Sequence, residues 1–153
     1  MQNTGNNATH ARLFITRLAT GTTPAVVADI FKRTREAHRR LAIGGAMLFD
    51  GERFGYGLFG PVVSVAAAVD AVQSDPYQTG MQLLSSIDGA IPAGWPSQGW
   101  RCGWTEPDGL AGLSALAAQA AQCTQAAQAT DSAPHHVDAL ASWSEVLGAS
   151  DLL

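Results

Sequence analysis

The stretch AIGGAMLFDGERFGYGLFGP, residues 42–61, does most to limit what this chain can become. Two short apolar runs flank Asp50-Gly51, a pair suited to a primed hairpin turn, so the stretch predicts two antiparallel strands. A helical segment stands on either side. Thr23 can N-cap the first and Pro24 suits its opening turn. It runs to about Leu41 with Val27, Ile30, Phe31, Thr34, Ala37, His38 and Leu41 on one face, and Arg35 and Arg39 on the other. The second, PVVSVAAAVDAVQS at 61–74, opens with Pro61 and has an apolar face of Val63, Val65, Ala66, Val69 and Val72. Asp75-Pro76 ends it.

Three further strands complete the pattern: ARLFITR (11–17) before the first helix, and GMQLLSSI (80–87) and GWRCGWT (99–105) after the second. The order β-α-β-β-α-β-β is an α+β, ferredoxin-like split-βαβ arrangement with one added strand. Residues 1–10 read as a disordered leader, 11–105 as the folded domain and 106–153 as an extension. Within that extension, 110–130 is Ala/Gln-rich with an apolar stripe of Leu110, Leu113, Leu116 and Ala120. Asp131-Ser132 and Pro134 mark a break. A second helix then places Val137, Leu140, Trp143 and Leu147 on one face. Two small amphipathic helices need a surface to cover, and the open face of the sheet is the obvious one.

Composition narrows the function classes. Net charge is −4, which argues against non-specific nucleic-acid binding. Five of the nine basic residues, Lys32, Arg33, Arg35, Arg39 and Arg40, crowd the first helix, and a solvated helix face is the plainer reading of them than docking. No apolar run reaches membrane-spanning length and the polar N-terminus shows no export signal, so a cytoplasmic protein with reduced thiols is expected. Cys102 and Cys123 lack metal-ligand spacing. His135-His136 point apart on a helix end, which favours a solvated cluster over a metal site. No nucleophile-base-acid set is present to suggest catalysis.

The spacing of these residues resembles that of the BLUF domains, flavin-binding blue-light sensors with a ferredoxin-like core. Their hairpin reads roughly I-T-G-x-L-x-Y-x-x-x-x-F-x-Q-x-L-E-G, and Ile43, Gly45, Leu48, Phe49, Phe54, Leu58 and Gly60 stand at matching places. The first strand, LFITRLA, resembles the family's L-x-Y-x-S-x-A, and Asp75 follows the second helix at family spacing. The two tail helices look like those that follow the core in short members.

The resemblance implies a flavin cleft bordered by Phe14, Thr16, Ile30, His38, Tyr56, Trp100 and Cys102. It also exposes departures. The strand-one tyrosine of the family is Phe14 here, its glutamine is Tyr56, its asparagine is His38, and the glutamate of L-E-G is Phe59. The basic and histidine positions after Asp75 read Pro76, Tyr77 and Gln78. Phe14 has no hydroxyl and Tyr56 no amide, so the phenol–amide relay of the family's photochemistry is missing.

Each site residue also has a plainer reading. Phe14 is core packing; His38 is a satisfied core histidine more readily than a ligand contact; Tyr56 is a cavity filler before it is a donor. Thr16 is expected to bond locally within its strand rather than border the cleft. Trp100 and Trp104 are packing residues, and Cys102 is a small strand hydrophobe. Gly55 and Gly57 either let a ligand approach the backbone or mark a bulge. The expected function is a BLUF-like signalling or protein-interaction module that has lost the standard flavin photocycle. It carries no flavin, or FAD or FMN weakly bound, and acts through self-association as a homo-oligomer or through a downstream protein partner. The alternative is a flavin-binding photoreceptor with an altered hydrogen-bond network around Tyr56 and His38.

Overall fold

A computed structural model of the chain describes residues 9–23, 25–89, 99–116, 118, 143 and 145–148, and the backbone of 151–152. Residues 1–8 of the leader, Pro24, most of the two tail helices, Cys123, His135 and His136 lie outside the described residues. The elements are β1 (Thr9–Leu18), α1 (Ala25–Arg40), β2 (Gly44–Phe49), β3 (Arg53–Pro61), α2 (Val62–Gln73), β4 (Gln78–Asp88), β5 (Trp100–Trp104) and β6 (Asp151–Leu152). The βαββαββ order is the one the sequence predicts. β1 starts two residues before the predicted strand, and β6 has no counterpart in the sequence reading.

The hairpin closes one residue later than expected. Asp50 N–H donates to the Arg53 carbonyl (3.1 Å), so Gly51-Glu52 is the central pair. Gly51 has φ of 101° and Asp50 keeps negative φ, the pattern of a turn with glycine first. The Asp50 carboxylate then caps the turn, accepting from the backbone N–H of Glu52 (2.9 Å) and Arg53 (2.7 Å).

The six strands lie in the order β4-β1-β3-β2-β5-β6. The first four pair antiparallel, as a ferredoxin-like sheet requires, while β5 joins β2 in parallel. Each face carries its own core. Phe14, Met47, Phe49, Phe54, Tyr56, Leu58 and Cys102 face α1 and α2, packing on Val27, Ile30, Phe31, Val65, Ala68, Val69 and Val72. Ala11, Leu13, Ile15, Ala46, Leu48 and Leu84 face the other way, against Leu110, Leu113 and Trp143. Residues 111–116 are helical, as are 143 and 145–148. The tail therefore covers the second sheet face where it is described. Coverage on both sides explains why β1 and β2 read as continuous apolar runs rather than alternating ones.

On α1 the predicted face holds except at Ala37, which is exposed. On α2 it is rotated. Val63 is 81% exposed and Ala66 is exposed, while Ala68 is buried, so the stripe is 65-68-69-72. A run rich in Val and Ala offers several similar stripes, and packing on the sheet selects one.

Candidate functional site

α1 and α2 lie side by side over the sheet and leave a cleft of about 310 Å³, walled in part by Ile30, Arg33, Thr34, His38, Asp75 and Gln78. Ile30 and His38 are thus brought to one cleft. Beneath it, Phe14 on β1 and Tyr56 on β3 stand opposite each other in register. Their rings stack at 4.7 Å between centroids, 13° from parallel. Both are fully buried.

The Tyr56 hydroxyl donates to Gln78 Oε1 (2.5 Å), at the start of β4. Thr16 Oγ1 donates to the same oxygen (2.7 Å), 62 residues away in sequence, not to its own strand as expected. Gln78 Nε2 in turn donates to Asp75 Oδ2 (2.8 Å). Asp75 Oδ1 accepts the Tyr77 backbone N–H (2.9 Å). One amide therefore gathers a phenol, a threonine hydroxyl and a carboxylate. Burial pushes the Tyr56 phenol well above its ordinary range, with the Gln78 bond opposing in part.

Gln78 is the residue the sequence reading missed as a site member. The available signal was a polar pair, Asp75 and Gln78, three residues apart between a helix stop and a strand start. Its long-range partners come from β1, the neighbouring strand, and from β3, one strand further.

His38 is buried, with 3% of its surface exposed, and its Nδ1 has no hydrogen-bond partner among the described residues. The expected satisfied core histidine is thus half right: it is in the core but not satisfied. Burial lowers its pKa to about 4. Trp100 meets the His38 ring edge-on, 4.2 Å between centroids. Cys102 is buried under α1 with its thiol toward the Phe31 carbonyl (3.8 Å), and burial pushes that thiol up. Trp104 packs edge-on against Phe31 and Phe49, both at 5.5 Å, and is partly exposed.

Gly55 and Gly57 serve neither of the purposes expected. A Cβ at Gly57 would stand 2.7 Å from Trp143 Nε1, and one at Gly55 2.8 Å from Trp143 Cζ3. They clear room on the sheet's other face for the tail's tryptophan. Among the described residues no cluster of three metal-ligating side chains occurs. No helix of the described residues is long and apolar enough to cross a membrane.

The cleft is narrow and most of its buried polar groups are engaged. Its volume lies at the bottom of the range for small-molecule sites, roughly 300–1,000 Å³. Its polar groups are already bonded to one another: Thr34 Oγ1 to the Ile30 carbonyl (2.6 Å), Arg33 to Asp29 (3.1 Å), and Gln78 to three partners. Among the described residues His38 Nδ1 is a buried polar atom left over in this cleft.

No family model matches the chain, and no curated protein matches it. Solved structures do. BlrB, a BLUF protein in its dark state, is 17% identical, with 93% of this chain and 98% of that one aligned at a TM-score of 0.60. A bacterial light-regulated adenylyl cyclase is 14% identical over 78% of this chain, TM-score 0.57. Klebsiella pneumoniae BlrP1, solved with FMN and cyclic diGMP, is 20% identical over 54% of this chain, TM-score 0.50. The chain spans only 22% of BlrP1 and 36% of the cyclase, but nearly all of BlrB. With the 4-1-3-2 sheet, its parallel fifth strand and the two helices above it, the chain has the fold of the BLUF domains.

Proposed function

We propose that this chain is a cytoplasmic, non-enzymatic signalling or protein-interaction module that uses a BLUF fold without the standard flavin photocycle and without bound flavin. The observation that carries this reading is the closed hydrogen-bond set around the α1/α2 cleft. Phe14 offers no hydroxyl, and the phenol of Tyr56 is spent on Gln78 inside the core. Output then has to come from surfaces. β4 is an edge strand with Leu83 49% exposed, and an edge of this kind can pair with another chain. That favours a homo-oligomer or a downstream protein partner.

The visible spectrum of the purified protein tests the first half. A colourless protein whose melting temperature does not rise with FMN or FAD agrees with the proposal. A yellow protein that shifts to the red on illumination overturns it. That outcome would assign the second reading, a flavin-binding light receptor with a rearranged network around Tyr56 and His38. Sedimentation velocity with pull-down tests the second half: a strict monomer that captures no partner contradicts an interaction role.

A further inference from the structure

On the flank of α1 away from α2 lies a larger cavity, about 480 Å³, between the C-terminal half of the helix and the β2–β5 edge. Arg35 and Arg39 stand over it, Trp100 forms a wall, and Gly44 and Gly99 leave the strand side bare. Among the described residues, a Cβ at Gly99 would meet nothing within 4 Å. His38 reaches this wall too, and its Nδ1 has no partner among those residues.

The charge around this cavity is one-sided. The ion pairs of α1 among the described residues are Arg33–Asp29 and Arg40–Glu36, which leave Arg35 and Arg39 without a carboxylate. A helix C-terminus ordinarily repels anions. Here its last carbonyls are taken up: Ala37 by Leu41 N–H, His38 by Ile43 N–H (2.9 Å), and Arg39 by Ala42 N–H. Two guanidiniums without a carboxylate partner among the described residues, one of them also reaching the Cys102 thiol, stand with a buried ring nitrogen that has no partner among those residues around a volume within the small-molecule range, which suits an anionic molecule larger than a bare ion.

We propose that this cavity binds a small organic oxyanion, a carboxylate or a phosphate monoester, through Arg35 and Arg39, with His38 and Trp100 as its inner wall. The site lies on the other flank of α1 from the α1/α2 cleft and shares His38 with it.

Calorimetric titration with inorganic phosphate, succinate and adenosine monophosphate tests it, together with the Trp100 indole resonance followed by NMR. We expect at least one probe to bind with Kd of about 1 mM or tighter and to shift that resonance. The preferred probe assigns the phosphate or the carboxylate class. Arg35→Gln with Arg39→Gln should weaken binding at least about tenfold, since hydrogen bonds to charged groups carry it. Lys32→Gln with Arg40→Gln, an equal charge change on the same helix, should leave it within about twofold. All four side chains are exposed, so both variants keep the fold. Failure of all three probes to bind overturns the proposal. So does equal weakening in the two double variants, or binding that leaves Trp100 unmoved.

Discussion

At the scale of single residues, two buried polar groups decide the behaviour of the helix-side core. His38 has its pKa lowered from 6.5 to about 4 by burial. Its folded form therefore binds fewer protons than the unfolded chain between those values. Stability is whole above pH 6.5 and is lost as pH falls toward 4, by at most about 3 kcal/mol from this group. Urea unfolding at several pH values should show that His38→Gln flattens this slope; an unchanged slope would assign it to other groups. The second group is the Gln78 amide. Tyr56→Phe removes one of two hydroxyls from Gln78 Oε1 and should cost about 1 kcal/mol. Gln78→Leu strands the hydroxyls of both Tyr56 and Thr16 in the core and should cost about 3 kcal/mol. Equal costs for the two variants would mean that the amide is not the hub of the network.

At the scale of elements, the β2–β3 hairpin carries two devices that tie the tail to the sheet. The first is Asp50, a carboxylate with no exposed surface on its side chain. Besides capping its own turn, it accepts the Leu110 backbone N–H at 3.1 Å, just before helical residues 111–116. Asp50→Ala should cost about 3 kcal/mol, and hydrogen exchange at the Leu110 amide should accelerate. An unaltered rate there would show that the tail docks without it. The second device is the glycine pair of β3. Gly57→Ala should destabilise by about 1–3 kcal/mol through overpacking on Trp143, and should be nearly neutral when Trp143 is already Ala. Gly45 is stricter: its φ is 127°, and a Cβ would lie 1.9 Å from the Gly57 carbonyl oxygen. These residues show where sequence reasoning stopped. Asp50 read as a turn residue and the glycines as a ligand approach or a bulge, because their partners come from a segment more than fifty residues on. The hairpin itself was legible, since its strand pattern and turn chemistry are local.

At the scale of the molecule, the sheet has two buried faces, and the tail makes the second. Trp143 is 1% exposed against Leu13, Ile15 and Leu48. Trp143→Ala should therefore cost about 3–5 kcal/mol, as a large buried aromatic does, and should expose apolar surface that binds a hydrophobic dye. A small cost would place Trp143 outside the cooperative core.

Local pattern by itself determined the element order, the inward turn of His38, the sheet-covering positions Leu110, Leu113 and Trp143 of the tail, and the absence of a hydroxyl at position 14. Each of these is a matter of period, turn residue or side-chain identity. Only the tertiary structure decided which stripe of α2 faces the sheet and that Gln78 gathers Tyr56, Thr16 and Asp75. It alone showed that the glycines of β3 make room for a tryptophan from the tail. The physical reason is that hydrogen-bond satisfaction and steric clearance depend on atoms distant in the chain, whose approach is set by the closed sheet and the elements packed on it.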